Sequence, residues 1–248
     1  MKRSVAPARG PLEREARAVL RDAGESLKRL ESRCARAVAA AAEAAISSLG
    51  SGGTVYFCGN GGSAADAQHL AAELSGRYFI DRPALAAVAL TTNSSALTAI
   101  GNDFGFDQVY SRQLRGLGTP GDVLVAISTS GKSANVLRAI EAAHELGMTV
   151  IGMTGLKGSR FAARCDHALV TPSASTPRIQ EGHITMGHAF CELVERALFP
   201  ARGGGPGAKQ AARAPRPGRP TRRAAPSGRG GTVPSRRRPR RSGPAPAR

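Results

Sequence analysis

From Thr54 onward, short apolar runs alternate with stretches of helical period. "TVYFCG" (54–59), "ALAAVAL" (84–90), "DVLVAIS" (122–128), "MTVIGMT" (148–154) and "HALVTP" (167–172) have strand length and few polar interruptions. Between them the spacing predicts a helix over Ala64–Arg77, a helical stretch after the polar "TTNSS", and a helix from about Ser133 to Leu146 closed by Gly147. After the last run, Gln180–Leu198 reads as an amphipathic helix. Upstream, Leu20, Leu27, Leu30, Cys34, Val38 and Ala41 recur at steps of three, four and seven. That pattern predicts a helix or helix pair over Pro11–Ser48, broken by Gly50, Gly52 and Gly53.

Continuous apolar strands alternating with helices indicate a parallel sheet covered on both faces. The expected fold class is α/β: a three-layer sandwich with a five-stranded parallel sheet, flavodoxin-like, preceded by an N-terminal helical segment. In such sheets ligands bind outside the carboxyl ends of the strands. The 248 residues suffice for one such domain, expected over 11–200. Residues 1–10 read as a flexible arm.

Charge alters the picture only at the end of the chain. Residues 201–248 hold thirteen Arg and one Lys with no Asp or Glu, so they carry +14 of the formal +17 and leave +3 on residues 1–200. This Arg-, Pro- and Gly-rich tail has no hydrophobic periodicity and is expected to be disordered. Three readings of it stay open: a polybasic arm, a solvated extension, and a product of a shifted reading frame. Its "SRRRPRR" run has no aromatic for base stacking, so nucleic acid would be at most a weak, non-specific, salt-sensitive partner. Cys34, Cys58, Cys165 and Cys191 are scattered without a C-x-x-C pair. No apolar run approaches the ~18–20 residues of a membrane span, and the N-terminus lacks the apolar core of a signal peptide. A soluble cytoplasmic protein is the expectation.

Candidate chemistry gathers in three places. "GNGGSA" (59–64) formally fits a dinucleotide-type glycine loop, but no acid follows the second strand to take ribose hydroxyls, so a nicotinamide cofactor is discounted. "STSGKS" (128–133) sets four hydroxyls and a glycine between a strand end and a helix start, where backbone N–H groups favour an anion. It is not a P-loop, because Ala126 stands where the first glycine is needed. Capping alone would explain one hydroxyl, not four, and a sugar phosphate suits the loop better. Finally, His69 and Glu73 share a helix face at i and i+4, and Gln180 and His188 lie eight apart on the last helix. Together they make a plausible nitrogen and oxygen set for a divalent metal. Taken singly, each is as readily a surface or core residue.

Four motifs in order, "FCGNGGSAADAQHLAAELSGRY", "GNDFGFDQVYSRQL", "GDVLVAISTSGKSANV" and "TPRIQEGHITMGHAFCELVE", resemble the phosphoheptose isomerase family of sugar-isomerase (SIS) domains over about residues 20–198. The resemblance implies a homotetramer that converts sedoheptulose 7-phosphate to D-glycero-D-manno-heptose 7-phosphate, the first step toward nucleotide-activated heptoses. It implies one zinc ion per subunit on His69, Glu73, Gln180 and His188. Asn60, Gly61, Gly62, Ser63, Glu73, Arg77, Asn102, Asp103, Ser128, Thr129, Ser130, Ser133 and Gln180 would surround the substrate. Some relatives carry Asp where this chain has Pro177. Glu73 is expected as the base that moves a proton between C2 and C1, with His188 assisting ring opening or proton transfer to oxygen. Two other classes use the same domain without that pair: adaptors that associate with a replication initiator, and sugar-phosphate sensors. The presence of both Glu73 and His188 favours the enzyme.

Overall fold

The computed structural model describes residues 10–200. The tail over 201–248 and the arm over 1–10, except Gly10 next to the first helix, lie outside the described residues. Five parallel strands form one sheet in the order β2-β1-β3-β4-β5. They are β1 (Val55–Gly59), β2 (Ala87–Ala89), β3 (Val123–Ile127), β4 (Thr149–Gly155) and β5 (His167–Thr171). The helices are α1 (Pro11–Gly50), α2 (Gly62–Ser75), α3 (Ser94–Phe104), α4 (Ser111–Leu117), α5 (Ala134–Glu145), α6 (Ser159–Ala162) and α7 (Thr176–Leu198).

Strand parity sorts the core into two layers, because successive side chains point to opposite faces. Val55, Phe57, Val123, Val125, Ile127, Ile151 and Met153 face α1, α2 and α7. Tyr56, Cys58, Leu124, Ala126 and Val150 face the other side, against α4, α5 and Phe161 of α6. The expected three-layer sandwich is therefore present, with the strand order of a flavodoxin-like sheet.

Two boundaries differ from the sequence reading, and one alternative it left open is settled. The N-terminal segment is a single helix of 40 residues, about 60 Å long. Gly24 stands in it with open space around its backbone, so it costs helix propensity but forces no break. The run at 84–90 yields only three strand residues. It lies at the sheet edge, and Leu85 N donates to Leu74 O at the end of α2 rather than to the ladder. α7 begins four residues earlier than its periodicity suggested. Pro177 stands in its first turn, where a missing N–H costs nothing.

The segment after α2 is fastened by a buried ion pair. Arg82 Nε donates to Glu195 Oε2 at 2.7 Å, and both side chains are almost wholly buried. Glu195 also accepts the backbone N–H groups of Tyr78, Phe79 and Ile80. Burial alone would raise this carboxyl, but these donors and Arg82 outweigh it and hold it below the usual range. Arg82 in turn donates to the carbonyls of Glu73, Leu74 and Pro83. Among the described residues, no helix is long and apolar enough to cross a membrane.

Glu195→Ala would strand a buried guanidinium and three backbone donors. We expect it to lower unfolding stability by about 3–5 kcal/mol in urea titrations. Glu195→Gln, which keeps acceptor capacity, should lose less.

Candidate active site

β1 and β3 are neighbours, but the helices that follow them pack on opposite faces of the sheet, α2 on one and α5 on the other. The loops leaving the two strands therefore diverge and open a crevice at the topological switch point, where α/β sheets bind ligands. Both glycine- or hydroxyl-rich loops of the sequence lie there.

The first loop, 59–62, turns tightly into α2. Gly61 has φ +55°, a conformation that favours glycine. A Cβ at Gly59 would fall 2.7 Å from Ser63 O. The Tyr110 hydroxyl donates to Gly59 O and lies 3.1 Å from Asn60 Oδ1. Burial pushes this phenol up, so it stays protonated and donating. Asn60 and Asn135 exchange amide hydrogen bonds at 2.8 Å in each direction. The Asn60 side chain is thus engaged in holding the two loops together.

The second loop, 128–133, is tied to β4. Ser128 N donates to Met153 O, and Gly155 N donates to Thr129 O. Gly131 sits at φ +67°, and its N–H reaches Ser128 Oγ at 3.1 Å. The Ser128 and Ser133 hydroxyls are 3.1 Å apart. Ser133 precedes α5, yet its side chain makes no capping hydrogen bond. Capping therefore does not account for that hydroxyl, and the loop keeps converging donors at a positive helix end.

A second cluster lies along α2 and α7, which run parallel in matched register. Gln180 meets Gly62, Leu70 covers Gly187, and Glu195 holds residues 78–80. A Cβ at Gly62 would collide with the Gln180 amide, and one at Gly187 would come within 2.7 Å of Leu70. This seam brings three of the four expected metal ligands together. His69 Nε2 is 2.8 Å from His188 Nε2 and 3.4 Å from Glu73 Oε1. One ligand atom from each of His69, Glu73 and His188 lies within 4.8 Å of the others, a grouping that could hold one metal ion. The fourth, Gln180, sits at the level of Gly62, about 12 Å along the helix axis from His188.

The remaining candidates are spread out. Ser63 is buried in the first turn of α2, while Ser130 is exposed at the tip of its loop. Asn102 donates to Asp103 at 2.8 Å on the exposed end of α3. Arg77 is exposed just past α2, and no ion pair to it occurs among the described residues.

Several residues that shape the site were not singled out from sequence: Tyr110, Asn135, Arg82, Glu195, Asp66, Tyr78 and His183. Tyr78 packs near the His188 ring, with centroids 5.9 Å apart. Asp66, one turn before His69, has a buried Oδ2 without a hydrogen-bond partner. Burial raises its carboxyl to about 6, against the pull of His69. His183 is wholly buried on α7, and burial lowers it to about 4, opposed by the Thr154 backbone. Asn135 carried one available signal: it stands two residues after Ser133, in the first turn of the helix that follows the hydroxyl-rich loop. The others act through contacts between distant segments.

Comparison with known proteins agrees with this geometry. Residues 20–155 match the SIS domain model, so the chain belongs to the SIS-domain family. Within that class, a phosphoheptose isomerase from Rhodospirillum rubrum is 58% identical over 187 residues, covering 75% of this chain and 99% of that protein. A solved phosphoheptose isomerase from Neisseria gonorrhoeae is 48% identical with a TM-score of 0.70, covering 74% of this chain and 98% of that one. Another, from Francisella tularensis, is 36% identical with a TM-score of 0.71, over 73% and 97%. The chain belongs with the phosphoheptose isomerases.

Asp66 and His183 give opposite pH slopes in metal-free protein. Between pH 3.8 and about 6 the folded state holds the Asp66 proton more tightly than the unfolded state, so that group loses stability as pH rises. Between about 4 and 6.5 the unfolded state takes the His183 proton more readily, so that group gains stability as pH rises. Asp66→Asn should therefore show stability climbing from pH 4 to 6.5. Relative to wild type, His183→Gln should lose the stability gained between pH 4 and 6.5. Urea unfolding of chelator-treated protein across this range checks both signs.

Proposed function

We propose that this chain is a sugar-phosphate isomerase that converts D-sedoheptulose 7-phosphate to D-glycero-D-manno-heptose 7-phosphate, the first step toward nucleotide-activated heptoses. The observation that carries the reading is the convergence of His69, Glu73 and His188 in a chain belonging with the phosphoheptose isomerases. The hydroxyls and N–H groups of 128–133 suit the substrate phosphate. Asn60, Gly61, Gly62 and Ser63, with Arg77, Asn102, Asp103 and Gln180, are assigned to the sugar.

Aldose–ketose interconversion moves one proton between adjacent carbons and another between their oxygens. Glu73, half-buried, takes the proton from C1 of the open-chain ketose. The electron pair then forms the enediol C=C bond and leaves negative charge on O2. Glu73 returns the proton to C2 while O1 gives up its own, leaving the aldehyde at C1. His188 serves ring opening and proton transfer at the oxygens. The residues present fit zinc, with His69, Glu73 and His188 as its protein ligands, while Gln180 stays at the level of Gly62, on the side of the sugar. When bound, that ion would stabilise negative charge on the sugar oxygens and hold the site together. A carboxylate held firmly by a metal would be a weaker base, so the ligand and base roles of Glu73 compete.

A homotetramer in the cytoplasm completes the reading. Leu12, Val19 and Leu20 are exposed on the outer part of α1. An open groove of about 490 Å³ runs between α1 and α7, lined by Leu30, Val38, Met186 and Leu193 among others. These surfaces suit helix packing between copies.

Turnover of sedoheptulose 7-phosphate tests the function. Glu73→Gln and His188→Gln should each lower kcat by about 10²–10⁴-fold while the protein stays folded. Chelation should abolish wild-type activity, and added zinc should restore it. A folded, zinc-supplied wild type without turnover would overturn the assignment.

A further inference from the structure

Lys132 belongs to the hydroxyl-rich loop, yet the isomerase reading gives it no task. It opens onto a cleft of about 530 Å³ whose lining includes Lys132, Leu137, Lys157, Arg160, Phe161 and Arg164. Four of these are cations and none is an acid. Arg164 is paired, 3.1 Å from Glu141 outside the lining. Among the described residues, no carboxylate forms an ion pair with Lys132, Lys157 or Arg160. Residues 1–200 carry only +3 in all, so this concentration of charge is local. Like charges gathered around one concavity repel one another and focus a positive potential into it, which an anion relieves.

We propose that this cleft binds a small molecule carrying two or more phosphate groups and that its occupancy weakens sugar-phosphate binding. The volume falls within the range of small-molecule sites, roughly 300–1,000 Å³. Four cations match the charge of a nucleoside triphosphate better than that of a single phosphate. Leu137 and Phe161 supply an apolar part of the lining. The cleft touches the substrate loop only through its tip, Ser130–Lys132; Ser128, Thr129 and Ser133 lie outside its lining. A polyanion there engages Lys132 and sets negative charge beside the phosphate cradle. The KM of the sugar phosphate should rise, with kcat nearly unchanged. This coupling rests on the isomerase reading; the binding does not.

The test uses the full chain, with ATP as the probe and Lys157→Gln/Arg160→Gln as the variant, since neither residue belongs to the catalytic or substrate machinery. Calorimetry at physiological salt should show saturable ATP binding to wild type, roughly tenfold weaker in the variant. Inorganic phosphate at equal ionic strength should bind wild type at least about tenfold more weakly than ATP. ATP should raise the wild-type KM and leave that of the variant little changed, with basal turnover equal in the two proteins. Absent saturation, equal ATP affinity in both proteins, or phosphate binding as well as ATP would overturn the site. Binding without a change in KM would overturn the coupling. Turnover without ATP is measured first, so failure of the isomerase reading is seen separately.

Discussion

α2 and α7 run parallel in near-backbone contact, and the meeting of His69, Glu73 and His188 depends on that approach. Gly62 and Gly187 make it possible. A side chain at either would strike Gln180 or Leu70 across the seam. With the helices this close, His69 and Glu73 on one face of α2 meet His188 on α7. A widened seam would cost packing and separate ligand atoms that now lie a few ångströms apart. The register matters as much as the distance, because a one-residue slip of α7 rotates His188 by about 100° away from α2.

The fold holds that register from both ends. At the far end, Glu195 on α7 gathers Arg82 and three backbone N–H groups, and Arg82 returns to the carbonyls closing α2. A buried ion pair gains little net stability over an apolar pair, but it is directional. Here that directionality fixes where α2 ends relative to α7. At the near end, the Asn60–Asn135 exchange and the Tyr110 hydroxyl join the two loops of the sheet crevice. The loop 128–133 and the start of α2 are thereby tied to each other through Asn60, Asn135 and Tyr110.

Much of this was legible along the chain because it is local. Apolar runs marked all five strands, and their alternation with helices set the sheet type. His69 and Glu73 shared a face by spacing alone. The edge strand β2 came out shorter because Leu85 is drawn to the end of α2, a contact that no periodicity encodes. The single long α1 ran through Gly24 because nothing crowds it there. At the site, the meeting of His69 with His188 spans 119 residues. Helical spacing says which way each points, but not that the helices lie side by side. Family resemblance supplied that pairing. Arg82 and Glu195 carried no comparable signal, since an Arg and a Glu 113 residues apart are ordinary until the fold brings them into contact.

The most direct measurement is anomalous diffraction at the zinc edge from crystals of the full chain grown with zinc. A strong peak is expected, bonded to Nε2 of His69, Nε2 of His188 and a carboxylate oxygen of Glu73, with α2 and α7 in the register described. A structure with zinc bound elsewhere, or with His188 turned from α2 while zinc is supplied, would contradict it.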